Sequence, residues 1–397
     1  MRVGFNALFL GQEATGSGQY TRHLLKALAQ QNGRNEYLLY QLDKPGSSKK
    51  PSLWNTLPSL KAHVLHTPFA RRLENLDKLW FEQVAFPHAC RGALVDLCHV
   101  PYFASPICPT VPTVVTVHDL IPMLLPVYRG SLAVRLYTRL VAQAAKRAML
   151  IITDSLHSKE DIVRHLSVPA ERVQVIYLAA NPACRPVCDE AVLAAVRRKY
   201  GLPDRYVLYL GGFDQRKNLS TLFAAYARVT QSEGGDTAPL VIAGRLPEAD
   251  TPLYSDPRRA AREQGVEESV VFTGWVEEDD KPALYSGAMF FVFLSLYEGF
   301  GLEPLEAMSC GTPVLAADAA SLPEIVGRGG LLVPPTDVDR VVEGMLTLLQ
   351  DPRVRRQLQE NALAQAAKFD WRRTAEQTLH AYELVVTGVE VSSTQTE

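Results

Sequence analysis

Two glutamates eight positions apart, Glu298 and Glu306, lie in the segment EGFGLEPLE, directly after the very apolar run Met289–Ser295. Gly299 and Gly301 let the chain turn tightly and bring backbone close to a ligand. Leu302–Ser309 reads as the start of a helix, whose free N–H groups and dipole favour an anion. Both carboxylates can point to the strand-end side and accept hydrogen bonds from paired sugar hydroxyls; the plain alternative is a glycine turn with solvated glutamates. A second chemical group is the basic pair Arg216-Lys217, which opens a helical stretch. Cations are unfavourable at a helix N-terminus, so an anionic neighbour is expected there. His118 follows the apolar run Thr113–Val117 and precedes Asp119. A histidine at a strand end is either structural or a substrate contact, and Asp119 either holds its ring or meets an acceptor. Between the first strand and the first helix, Thr15-Gly16-Ser17-Gly18 forms a glycine-rich loop of the kind that approaches phosphates through Gly16 and Gly18. The remaining histidines and the six cysteines have no metal-ligand spacing, which argues against a structural zinc or a disulfide framework.

These groups need elements to hold them. Strands are expected at Arg2–Phe5, Tyr37–Gln41, Leu94–Val100, Thr113–His118, Leu150–Asp154 and Val173–Tyr177. A second series follows at Tyr206–Leu210, Leu240–Ala243, Val270–Thr273, Phe290–Leu294 and Pro313–Ala316. Helical periods such as Gln19–Gln30, Leu132–Ala148, Leu219–Thr230 and Val338–Gln350 alternate with them. Nearly continuous apolar strands alternating with helices imply parallel sheets covered on both faces. The pattern runs twice, so the expected architecture is α/β, with two Rossmann-like, doubly wound domains whose strand-end loops face a cleft. Breaks in Ala179–Asp189 place the boundary at residue 185: a first domain of 1–185 joined by a C-terminal helix at about 372–390, and a second of 186–371.

The chain of 397 residues is 47% hydrophobic and has a net charge of −2, which excludes a disordered chain. That charge divides unevenly. Residues 1–185 carry 21 basic and 12 acidic side chains, and the rest carry 20 and 31. Local basic concentrations occur at Lys49-Lys50, Arg71-Arg72 and Arg129–Arg147, where Arg135, Arg139 and Lys146 accompany Leu132, Leu136, Leu140 and Val141. The ordinary reading of that last segment is a helix with its apolar face in the core. The functional one is a basic amphipathic face meeting anionic lipid or the pyrophosphate of a lipid-linked acceptor. No apolar run spans a bilayer and the N-terminus reads as a strand, so a cytoplasmic protein is expected, peripheral at the inner face of the membrane.

The run YEGFGLEPLEAMSCGTPVLAAD, with LPEIVG and GLLVPPTD after it, closely resembles the signature of family 4 glycosyltransferases, retaining nucleotide-sugar-dependent enzymes of the GT-B fold. Leu210–Leu219 (LGGFDQRKNL) and Val117–Pro122 (VHDLIP) agree, and the resemblance extends from about Val3 to Tyr382. It looks most like the bacterial O-antigen and exopolysaccharide mannosyltransferases. The resemblance implies that Glu306 binds the ribose hydroxyls, and that Glu298 contacts the donor sugar with Gly299, Phe300, Gly301 and Leu302. Lys217 would hold the diphosphate, and His118 would lie beside the donor sugar. The family's arginine five residues before the lysine is Gly212 here, and Arg216 would supply the missing charge. The expected reaction is metal-independent transfer of a hexose to a hydroxyl of a glycan or lipid-linked acceptor, with no cofactor and no nucleic-acid partner. GDP-mannose is the first donor and a UDP-sugar the second. The competing functions are a nucleotide-sugar 2-epimerase and a non-catalytic nucleotide-sugar-binding protein on the same fold.

Overall fold

The structure is a computed structural model that describes residues 1–12, 15–31, 35–43, 57–69, 74–232 and 237–388. Lys49-Lys50 and Arg71-Arg72 lie outside these residues. The chain divides into two compact units, Met1–Leu178 together with the segment from Trp371 onward, and Ala179–Asp370. The stretch Ala179–Asp189 goes with the second unit, where the backbone N–H of Val187 donates to Ser286 Oγ at 3.0 Å.

In the first unit seven parallel strands form one sheet: β1 Arg2–Asn6, β2 Glu36–Leu42, β3 Leu60–Leu65, β4 Leu97–Val100, β5 Thr113–Thr116, β6 Leu150–Thr153 and β7 Val173–Val175. Their spatial order is β3-β2-β1-β4-β5-β6-β7. Every residue of β4, β5 and β6 is buried, as a sheet covered on both faces requires. Helices α1 (Gly16–Gln30), α2 (Leu132–Ala145) and α3 (Leu156–Leu166) belong to the covering layers.

The second sheet has six parallel strands: β8 Val207–Leu210, β9 Leu240–Ala243, β10 Val270–Gly274, β11 Phe290–Phe293, β12 Val314–Ala317 and β13 Gly330–Val333. Their order is β10-β9-β8-β11-β12-β13, and their helices include α4 (Leu219–Gln231), α5 (Leu302–Ser309) and α6 (Val338–Gln350). The strand order reverses between β8 and β11, the place where ligands of such sheets sit outside the carboxyl ends of the strands.

Besides the domain boundary, which falls after Leu178 and not at residue 185, the structure departs from the sequence expectations in four places. Two edge strands, β3 and β13, escape the pattern; in β3 the stretch from Lys61 to Val64 is exposed, so no apolar run marks it. β4 starts at Leu97 because Leu94 takes a left-handed φ of 51° and is exposed. The segment Gly16-Ser17-Gly18 is the first turn of α1 rather than a loop before it. Thr15 Oγ1 accepts from the Gly18 N–H at 3.1 Å and caps the helix, and a Cβ on Gly18 would lie 2.1 Å from the Gln12 carbonyl oxygen. Finally, α2 sinks only its second half into the core, at Val141, Ala142, Ala144 and Ala145. Its first half holds Leu132 71% and Leu136 55% exposed beside Arg135 and Arg139.

The last helix, α7 (Trp371–Thr387), belongs to the first unit. Thr374 Oγ1 donates to the Tyr177 carbonyl at 2.7 Å, the Tyr382 hydroxyl meets His99 Nδ1 at 2.6 Å, and Trp371 stacks on His23. Among the described residues no helix is long and apolar enough to cross a membrane.

Candidate functional site

At the β8/β11 reversal, the chain leaving β8 passes Gly211 and Gly212 into a single 3-10 turn, Gln215–Lys217. Asn218 then takes a left-handed φ of 56° and starts α4. Its Nδ2 donates to the carbonyls of Leu294 at 3.2 Å and Pro335 at 2.6 Å, fastening this loop to the end of β11 and to the turn after β13. The Leu296 N–H donates to the Arg216 carbonyl at 2.7 Å. These bonds bring the basic pair against the first glutamate. Lys217, only 4% exposed, places Nζ 2.8 Å from Glu298 Oε1, 3.4 Å from Glu303 Oε1, and 4.5 Å from the centre of the Phe293 ring. Arg216 Nη1 pairs with the same Glu298 oxygen, its Nε lies 3.1 Å from Asp214 Oδ1, and Nη1 also donates to the Tyr297 carbonyl. The anionic neighbour expected for the basic pair is therefore a cluster of three carboxylates. Burial works against an ionised Glu298, but Lys217 and then Arg216 outweigh it and hold its carboxyl below the usual range.

Gly299–Gly301 forms the turn after Glu298. Gly301 has φ 116°, a left-handed conformation that favours glycine, and a Cβ there would lie 2.8 Å from Leu322 Cδ2 and push that side chain aside. Ser321 Oγ pins the turn through the carbonyls of Glu298 at 3.0 Å and Phe300 at 2.7 Å. Leu302 opens α5, whose N-terminus has no side-chain cap.

Glu306 sits in the opposite electrostatic setting. Its Oε2 accepts from the Tyr285 hydroxyl at 3.3 Å. Burial pushes its pKa up to about 7, with Glu303 and Glu278 adding to the rise while Lys281 opposes it. Lys281 Nζ is 2.5 Å from Glu278 Oε1. Burial pulls this ammonium down, but Glu306 and Glu278 together raise it above its ordinary value.

In the first unit His118 lies two residues beyond β5. Its Nδ1 is 2.5 Å from Asp154 Oδ2, its Nε2 is 3.2 Å from the Pro101 carbonyl oxygen, and Tyr20 of α1 meets the ring edge-on at 4.9 Å. The residue that holds the ring is Asp154. Asp119 Oδ1 instead accepts from the Ile121 N–H at 2.9 Å, starting a short helix. Gly16 and Gly18 lie at the start of the helix that carries Tyr20.

Sequence reasoning missed Asp154, Glu303, Lys281, Tyr285 and Asp214. The signal for Asp154 was available: an acid just past the wholly apolar β6, before a serine-capped helix. The chain contains one Asp-x-Asp, Asp337-Val338-Asp339. Asp337 Oδ1 caps α6 by accepting from the Arg340 N–H, and Asp339 pairs with Arg228, so both carboxylates act outside the Lys217–Glu298 cluster. Among the described residues no group of three or more His, Cys, Asp or Glu is arranged to hold a metal ion.

Two nucleotide-binding-type parallel sheets with a basic-acidic cluster at a strand-order reversal define a GT-B type transferase scaffold. The Glycosyltransferase Family 4 model matches residues 14–183, and that of Glycosyl transferases group 1 matches residues 195–365. The O-antigen chain mannosyltransferase B of Escherichia coli is 32% identical over 396 residues, covering 97% of this chain and 100% of the relative. The serotype-specific mannosyltransferase WbdA of Escherichia coli is 33% identical over 290 residues, which are 72% of this chain but 35% of that longer protein. Among solved structures, the fold matches sucrose-phosphate synthase of Thermosynechococcus elongatus with a TM-score of 0.76 at 22% identity, covering 98% and 100% of the two chains. It matches HepE of Anabaena, solved with UDP and glucose, with a TM-score of 0.73 at 18% identity, covering 96% and 99%. The chain belongs to glycosyltransferase family 4 and is a glycosyltransferase.

Proposed function

We propose that this glycosyltransferase moves mannose from GDP-mannose to a hydroxyl of a lipid-linked glycan, with retention of anomeric configuration and without a metal ion. The observation that carries the reading is the pairing of Lys217 and Arg216 on Glu298 where the strand order reverses between β8 and β11. A departing nucleoside diphosphate develops negative charge, and positioned cations stabilise it without reorganising at the moment of reaction. Lys217 and Arg216 supply that charge beside the uncapped N-terminus of α5, and Arg216 takes the place of the arginine absent at Gly212. Glu306 accepts the ribose hydroxyls, and Glu298 positions both cations and meets the donor sugar with the backbone of Gly299–Leu302. His118 is proposed as a contact of the donor sugar. Similarity to the O-antigen mannosyltransferase over nearly the whole chain supports mannose as the sugar.

The test is a donor screen by thermal shift, because a ligand that binds only the native state raises its stability by RT ln(1 + [L]/Kd), about 2.7 kcal/mol at a hundred times Kd. GDP-mannose is expected to raise the midpoint more than UDP-glucose at equal concentration; the reverse order would overturn the donor. NMR of the product's anomeric proton then reads retention directly.

The acceptor side of the proposal rests on α2. Its exposed Leu132 and Leu136 lie beside Arg135 and Arg139, the pattern of a helix lying on an anionic lipid surface. Each basic side chain near such a surface contributes about 1 kcal/mol. Binding to vesicles should require anionic lipid and fade at high salt, and changing Arg135, Arg139 and Lys146 to Gln should reduce it. Equal pelleting with neutral vesicles, or none at all, would leave a soluble acceptor.

A further inference from the structure

We infer that Asp154 is the positioning residue that keeps His118 as an imidazolium, so that this histidine serves the reaction as a fixed positive charge and not as a proton acceptor. The inference about function rests on the reading of His118 as a substrate contact; the inference about its charge does not. The geometry is specific. A backbone carbonyl can only accept, so the 3.2 Å contact between Nε2 and the Pro101 oxygen requires a proton on Nε2. The carboxylate of Asp154, 2.5 Å from Nδ1, requires a proton there as well. A ring with both nitrogens protonated is cationic and has no lone pair left to receive a proton from an acceptor hydroxyl.

The surroundings support that state from each side. Asp154 is 2% exposed, and its second oxygen, Oδ1, is buried without a hydrogen-bond partner among the described residues. A neutral ring would leave this carboxylate uncompensated, so the two charges sustain each other. The acid also precedes the N-terminus of α3, which Ser155 caps and where a negative charge is favourable. Ser158 Oγ, from the first turn of α3, donates to the His118 carbonyl at 3.0 Å and fixes the backbone beneath the ring. Asp119, next in the chain, adds a further negative charge. The other titratable groups facing the ring do not compete. Tyr20 stays neutral, its pKa raised by burial and then by Asp154. His99 of β4 is bonded to Tyr382 and Thr116, and burial lowers its pKa to about 3. Burial pulls His118 down as well, but Asp154 more than offsets it and the net direction is upward.

The experiment is a ¹⁵N-detected NMR titration of the His118 ring in the full chain, assigned with His118→Gln, alongside pH profiles of kcat and donor KM. Wild type should show two protonated ring nitrogens at pH 7.5. In Asp154→Asn the ring should be neutral at that pH. Its kcat should fall about ten- to hundredfold at pH 8, the loss expected for a charged hydrogen-bonded group, and recover partly near pH 5.5, where the ring is charged again. A merely structural defect would not be repaired by acid. Asp154→Glu, which keeps the carboxylate, should retain the charged ring and most of the turnover, and serves if the Asn variant fails to fold. A neutral ring in wild type at pH 7.5, or a kcat loss in Asp154→Asn that is the same at every pH, would overturn the inference. If the ring is charged but His118→Gln turns over like wild type, the substrate-contact reading fails while the charge assignment stands.

Discussion

Glu298 and Glu306 are one turn and one short helix apart, yet their surroundings are opposite. Glu298 is met by Lys217 and Arg216 and is held ionised against its burial. Glu306 is buried near Glu303 and Glu278, has a tyrosine hydroxyl as its hydrogen-bond partner, and rises to about pH 7. The difference teaches that carboxylates on the two sides of one tight turn can be held in opposite charge states by the groups packed against them. Around Glu298 the cations are already in place, ordered by carboxylates that a diphosphate can partly replace. Around Glu306 carboxylates predominate, with the Tyr285 hydroxyl as its hydrogen-bond donor and Lys281 as the one cation that opposes its rise.

Removing Lys217 should break the comparison most severely. Lys217→Ala is expected to lower kcat by about 10²–10³-fold, the usual cost of losing one positioned donor to developing charge, with a smaller loss of donor affinity. Single-turnover kinetics beside equilibrium binding separates the two, and equal losses would reduce Lys217 to a binding residue. Glu298→Ala should cost about 3 kcal/mol of stability, because it takes the nearest carboxylate from the buried Lys217, while Arg216 keeps Asp214. Lys217 keeps Glu303 at 3.4 Å, which limits the damage. Urea unfolding measures it, and adding Lys217→Met should restore part of the loss; an unchanged midpoint in the single variant would mean the cluster is solvated.

Glu306→Gln should weaken nucleotide binding at pH 8 by about ten- to hundredfold, from a lost charged acceptor worth about 1.5–3 kcal/mol. In wild type the same affinity should decline as pH drops below about 7, where Glu306 takes up its proton, and in the variant that dependence should vanish. The sign for stability is the reverse. The folded free protein holds this proton more tightly than the unfolded chain between pH 4.5 and about 7, so ionisation above that window costs stability. The ligand-free Gln variant should therefore melt higher than wild type at pH 8 and no higher below pH 4.5. The smallest expected effect is that of a chelator. If Lys217 and Arg216 carry the role a divalent ion would otherwise fill, turnover in EDTA should match turnover without it. Loss restored by Mn²⁺ would reassign the acidic neighbours of these cations as ligands.

Much of this was legible in the chain. The apolar strands recur at buried-sheet lengths, and the spacing of Glu298, Gly299, Gly301 and Glu306 follows from a strand, a tight turn and a helix in succession. Each of those signals is local, so sequence carries it. The edge strand β3 was not legible, because one exposed edge has no reason to be apolar. The exposed leucines of α2 were not legible either, since helical spacing gives a face but not what covers it.

What the sequence determined by itself was therefore the class of scaffold and the residue types at its strand ends. Tertiary structure decided the partners. Arg216 and Lys217 lie 82 and 81 positions from Glu298, and His118 lies 36 from Asp154, separations that only the ordering of parallel strands closes. The charge states follow from that closure: a carboxylate's pKa depends on which groups lie within a few ångströms and how much water remains, and neither quantity is written along the chain. Two glutamates with the same intrinsic chemistry thus became an ionised anchor and a proton-holding acceptor because β8 and β11 are neighbours and Lys281 and Glu278 pack beside α5.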